Sequence, residues 1–102
     1  MLVADDRVEI ENGMARAPAA LAGLLEVRGL GILRLPHVAE ARLALAVELG
    51  SAARLPAPTR HPTLDLPLVT IDATKTSAAQ LVALALDCAL GRIAQHVGAF
   101  AT

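Results

Sequence analysis

Two acids stand side by side at Asp5 and Asp6. A third, Glu26, lies two residues before Arg28 in the apolar run Leu24-Leu25-Glu26-Val27-Arg28-Gly29-Leu30-Gly31-Ile32. Charge inside apolar sequence is costly to bury unless it is paired or hydrogen-bonded. The Gly-Leu-Gly that follows allows φ > 0 or close approach of another group. Two readings fit this run: a tight turn with a solvated ion pair, or the wall of an anion or metal site. The Arg28 guanidinium has the planar fork that grips carboxylate or phosphate. Asp5 and Asp6 close an apolar stretch that begins at Leu2, and neighbouring strand residues point to opposite faces. A carboxylate at the C-terminal end of a strand is where open α/β sheets hold ligands. There it could share Mg²⁺ with phosphate oxygens or take the proton of a hydroxyl in phosphoryl transfer. The alternative is a solvated turn with an Asx-type cap.

Other reactive types are scattered. Arg54, Arg60 and His61 fall in a proline-rich stretch at 50–62. His37, His61 and His96 lack the spacing of a metal-ligand set. His37, after Pro36, reads as a turn residue, and His96 as a complement to a helix C-terminus. Cys88 is the only cysteine and sits at helical spacing from Leu84, which suits a core position. Ser51 and Ser77 have no G-x-S-x-G context.

Composition narrows the function classes. The chain has 102 residues, is 55% apolar, and contains one aromatic residue, Phe100. Such a chain can bury a core as one small domain, but it offers no aromatic platform for stacking bases. Its net charge of −1 gives no basic footprint for nucleic acid. A lone cysteine fits a reducing, cytoplasmic setting. The acidic start differs from a signal peptide, and the most apolar run, Ala78 to Leu90, is too short to span a bilayer.

The elements that must position these groups follow from pattern. Leu2 to Ile10 reads as a strand, Asn12-Gly13 as a hairpin turn, and Met14 to Ala17 as the return strand. Pro18 suits the start of a short helix over Ala19 to Leu25, ended by Gly29 and Gly31. Gly31 to Leu35 reads as a strand stopped by Pro36, with a connector over His37 to Glu40. Ala41 to Leu49 alternates in part and reads as a strand, although its alanine content keeps a helix open. Leu64 to Asp72 reads as another, with Pro67 placing it at an edge or a bulge. Ser77-Ala78-Ala79-Gln80 has capping-box spacing and opens a helix to about Val97. No domain boundary is expected beyond the loop at 50–62.

These residues also carry a resemblance. Leu25-Glu26-Val27-Arg28-Gly29-Leu30-Gly31-Ile32 resembles the signature segment of the HPr kinase/phosphorylase family. Leu2-Val3-Ala4-Asp5-Asp6-Arg7-Val8-Glu9-Ile10 resembles that family's strand with paired aspartates, and Ala52-Ala53-Arg54-Leu55-Pro56 is a looser match. The similarity runs to about Leu86 and is closest to short forms of the enzyme. It implies an α/β fold of the P-loop kinase type shared with phosphoenolpyruvate carboxykinase, with a mixed sheet and a C-terminal helix. It also implies Mg²⁺- and ATP-dependent phosphorylation of a serine in the phosphocarrier HPr, phosphorolytic reversal, and a homo-oligomer, often a hexamer. Asp5 and Asp6 would be the catalytic carboxylates, Asp5 the base, with Arg54 meeting partner and phosphate. Glu26 and Asp6 would serve the metal, and Arg28, Gly29 and Gly31 the nucleotide or its phosphate. The family's phosphate loop precedes the Asp-Asp strand. Here only Met1, Leu2 and Val3 precede Ala4, and no G-x-x-x-x-G-K-[ST] occurs. The resemblance therefore implies the C-terminal part of a catalytic domain. A catalytically inactive module that binds a partner or a phosphate is the other expectation.

Overall fold

Asn12 and Gly13 take φ of 52° and 76° in the computed structural model, which describes residues 1–101. Left-handed geometry at both positions makes the two-residue hairpin that the Asn-Gly pair favours. It joins β1 (Glu9–Glu11) to β2 (Met14–Arg16), with Glu11 opposite Met14. The far side of β2 pairs antiparallel with a two-residue strand, β5 (Ala41–Arg42). Between them lies a second hairpin, β3 (Leu24–Val27) with β4 (Gly31–Arg34). Further on, β6 (Ala46–Leu49) and β7 (Leu68–Ile71) pair in parallel. Helix α1 (Ala78–Ala89) follows and packs on β7.

The result is a small mixed α/β chain with one C-terminal helix, as expected at that level. In place of one mixed sheet, the described residues form a three-stranded sheet and two two-stranded sheets. The chain divides into two compact units, Met1–Leu43 and Ala44–Thr102. The sequence reading is one small domain with the 50–62 loop as its sole candidate boundary, and the division lies before that loop. Within the first unit Ala15 is buried; within the second, Ile71, Ala85 and Ala99 are.

Several elements differ from the pattern reading. The expected strand from Leu2 to Ile10 is reduced to a single bridge, Leu2 with His37, and the three residues of β1. A bend at Asp5-Asp6 interrupts it. The expected helix over Ala19 to Leu25 is a 3-10 turn at Ala19–Leu21 that gives way to β3. A short apolar run fits either element, and the glycine-bearing turn after Val27 folds it back as a hairpin. The expected strand at Ala41 to Leu49 is two strands, β5 and β6, in different sheets. The Leu64 to Asp72 strand contracts to β7.

The helix stops at Ala89, well short of Val97, and the stop has a clear cause. The Gly91 N–H donates to the Cys88 carbonyl at 3.1 Å, and the Arg92 N–H donates to the Asp87 carbonyl at 2.8 Å. With Gly91 at φ 75°, this is the Schellman arrangement that satisfies the final carbonyls. Ser77 is the N-cap residue, but its side chain makes no capping hydrogen bond. His96 consequently lies beyond the helix, and the expected dipole contact at its C-terminus does not arise.

Candidate acidic cleft

The signature run forms the β3–β4 hairpin. Val27 accepts a hydrogen bond from the Leu30 N–H at 2.9 Å across the turn Arg28-Gly29-Leu30. Gly29 supplies φ 85° at the third turn position, where an L side chain is disfavoured. No ion pair joins Glu26 to Arg28 among the described residues. Both side chains are exposed. Of the two readings of this run, the tight turn is present without its ion pair.

The hairpin is tied to the aspartate pair by one specific bond. The Glu26 N–H donates to Asp5 Oδ2 at 3.0 Å, across 21 residues of sequence. A strand at the edge of a sheet presents N–H groups with no strand beside them. Asp5 supplies the acceptor that a further strand would have supplied to β3. A charged acceptor strengthens such a bond relative to a neutral one.

Around this bond lies a cleft of about 100 Å³ lined by Asp5, Asp6, Arg7, Leu21, Leu24, Glu26 and Ile32. Three carboxylates and one guanidinium therefore border one small depression with an apolar floor. An extended strand would have sent Asp5 and Asp6 to opposite faces. The bend at these residues brings both to the same cleft.

Arg28, Gly29 and Gly31 line a neighbouring depression on the hairpin tip, which shares only Glu26 and Ile32 with the acid cleft. The expected phosphate-gripping residues and the acids are thus adjacent through Glu26 but do not form one pocket.

Arg7 was not singled out by sequence. Its signal was available in the contiguous Asp5-Asp6-Arg7, where a cation beside two acids offsets their mutual repulsion. Arg54 belongs to the second unit, where it lines an apolar groove. Arg60, considered beside it, is engaged elsewhere: its Nε donates to Asp65 Oδ1 at 2.9 Å. The His61 ring caps a turn, its Nδ1 accepting from the N–H of Thr63 at 3.2 Å and of Leu64 at 3.1 Å. These bonds explain both side chains as local structure.

Among the described residues no three His, Cys, Asp or Glu side chains are grouped to hold a metal ion. The cleft does fit a more limited role. One Asp5 oxygen is committed to the Glu26 amide, which leaves Asp6 and the Glu26 carboxylate as the open acids. Mg²⁺ is commonly held by one or two carboxylates together with waters and substrate phosphates. Asp6 and Glu26 would be those two.

No helix among the described residues is long and apolar enough to cross a membrane. No protein-family model matches the chain, and no curated protein matches it.

Proposed function

We propose that the chain carries the acidic part of an HPr kinase/phosphorylase-like site on a P-loop-kinase type of fold. Its chemistry would be phosphoryl transfer between ATP and a serine hydroxyl of an HPr-like phosphocarrier in the cytoplasm. The observation that carries this reading is the bond from the Glu26 N–H to Asp5 Oδ2, which links the two segments that resemble the family. The signature run and the aspartate pair are far apart in sequence, and a common site requires that they meet.

In this reading each side chain has a task. Asp5, oriented by the Glu26 amide through one oxygen, keeps the other to accept the serine proton as the hydroxyl oxygen attacks the γ-phosphorus. The O–P bond to serine forms as the bond to ADP breaks. In the reverse direction inorganic phosphate attacks the seryl phosphorus, pyrophosphate is released, and protonated Asp5 returns a proton to the serine oxygen. Mg²⁺, when bound, would neutralise charge on the transferred group. Asp6 and Glu26 would hold it, and Arg7 would balance the acids. Arg28, with the turn glycines Gly29 and Gly31, would face the nucleotide phosphates. The role of Arg54 rests on the resemblance alone.

The test is transfer of labelled phosphate from ATP to HPr by this protein, with Mg²⁺. A positioned general base contributes typically about 10²–10⁴-fold, so Asp5→Ala should lower turnover by that order in both directions. Wild-type rates in Asp5→Ala would remove Asp5 from the mechanism.

A second reading has one observation in its favour. The chain contains no Gly-Lys-Ser or Gly-Lys-Thr loop, and its only lysine, Lys75, is exposed in a turn after Ala73-Thr74. A catalytically inactive phosphate- or partner-binding module would bind Mg²⁺-pyrophosphate without transferring phosphate.

A further inference from the structure

The stop at Gly91 sends the chain back beside helix α1. The Phe100 N–H donates to Gln95 Oε1 at 2.7 Å, which closes the returning segment on itself. The loop after β6 is fixed where it starts, the Gly50 N–H donating to the Ile71 carbonyl at 3.0 Å. Loop, β7, α1 and returning segment line one groove of about 540 Å³, all of it within the second unit. The buried apolar side chains of that unit, Ile71, Ala85 and Ala99, belong to its lining. So do Leu55, Leu84 and Val97, which are 63%, 53% and 55% exposed. The core of the unit is therefore open to water along this groove, with large apolar side chains at its rim.

The chemistry of the lining specifies what would fill it. Arg54 is its one charged residue, and no carboxylate pairs with Arg54 among the described residues. Apart from the Cys88 thiol, the other polar side chains are Thr70 and Gln95. Gln95 Oε1 is already committed to the Phe100 amide. A peptide here would bring N–H and C=O groups that such a lining leaves without partners, at a cost. A polyanion would need more than one cation. A hydrocarbon chain needs no hydrogen bonds, and a single terminal anion matches a single guanidinium. Sites for small molecules have this character, an apolar cleft of about 300–1,000 Å³ with few polar groups.

We propose that this groove binds a medium-chain alkyl carboxylate, its hydrocarbon chain lying on Ile71, Leu81, Leu84 and Ala85 and its carboxylate on the Arg54 guanidinium. The alkyl chain completes a core that the chain's own residues leave open. Burial of each CH₂ then favours binding by about three- to fourfold. The carboxylate adds less, because Arg54 is exposed and water screens the pair. The proposal is independent of the phosphotransfer reading, since it uses no acid of the cleft.

Cys88 lines the groove and is partly exposed, so its alkylation reports occupancy. The wild-type chain is treated with iodoacetamide while decanoate is titrated below its micelle concentration. Decanoate should slow the modification of Cys88 saturably. Octanoate, two CH₂ groups shorter, should bind about tenfold more weakly. Arg54→Gln should weaken decanoate by about two- to fivefold and leave the protection given by 1-decanol unchanged. The chain-length series uses the wild-type protein alone, so it decides the matter even where the variant does not fold. No protection by decanoate, equal affinity for octanoate and decanoate, or equal protection by inorganic phosphate would each overturn the proposal. So would protection that rises with protein concentration in the absence of decanoate, which would mark a second copy as the occupant.

Discussion

Asp72 shows how a single side chain organises backbone here. Its Oδ1 accepts from the Thr74 hydroxyl at 2.6 Å and from the Thr74 N–H at 3.0 Å. Those two bonds, the hydroxyl first, hold the Asp72 carboxyl below its ordinary value of 3.8. A depressed carboxylate favours the fold above the pKa of the unfolded chain. That contribution is lost as pH falls through the lower, folded value. Thr74→Val removes the hydroxyl bond and keeps the amide bond. The Asp72 pKa, followed by carboxyl NMR titration, should therefore rise part of the way to 3.8 in that variant, and an unchanged titration would contradict the assignment. The Asx-type turn has its local signal in Asp72-Ala73-Thr74, although alternation alone makes Asp72 the end of a strand. At Asp5 the limit of legibility is different. The residue type and its neighbour Asp6 marked it as a candidate, whereas its bond to the Glu26 amide joins residues that sequence separation hides. Arg7 went unnoticed because a cation beside two acids reads as ordinary surface until a cleft is seen.

At the scale of elements, turns were easier to read than the strands and helices between them. Asn12-Gly13 gave the first hairpin because its left-handed requirement is local. The segment from Ala19 to Leu25 was harder, since its apolar residues suit helix and strand alike, and what decides is the pairing with β4. Gly23 belongs to that decision. It stands at φ 78°, and a Cβ there would lie 2.6 Å from His37 Nδ1 and 3.2 Å from the Leu35 carbonyl oxygen. Gly29, at φ 85°, has open space around it. Gly29→Ala should cost about 1 kcal/mol through backbone conformation alone, whereas Gly23→Ala adds a steric conflict with the chain beside it and should cost roughly 2–3 kcal/mol. Urea unfolding of the two variants checks the order, and equal losses would mean that the close approach at Gly23 is relieved without cost. The helix was predicted too long for a related reason. Gly91 serves as the left-handed residue that completes the stop after Ala89, a role that helical spacing alone does not reveal.

For the molecule as a whole, the pattern of elements and the family resemblance gave the coarse class: a small mixed α/β chain with a C-terminal helix. Neither gave the division at Leu43–Ala44, where β5 and β6 follow each other closely but join different sheets. Pairing partners, rather than alternation along the chain, decide which strands share a sheet. The same limit applies to the candidate site, whose acids were legible as residue types while their meeting depended on the bend at Asp5-Asp6. The account rests on that meeting, on a cleft built from two distant segments and proposed to take phosphate with a divalent ion. Two-dimensional ¹⁵N–¹H NMR of the wild-type chain, titrated with pyrophosphate in the presence of Mg²⁺, tests it most directly. The amides of Asp5, Asp6, Arg7 and Glu26 should show the largest saturable shifts, with smaller ones through the Arg28–Gly31 turn. Shifts confined to other residues, or none at all, would contradict the assignment of this cleft to phosphate.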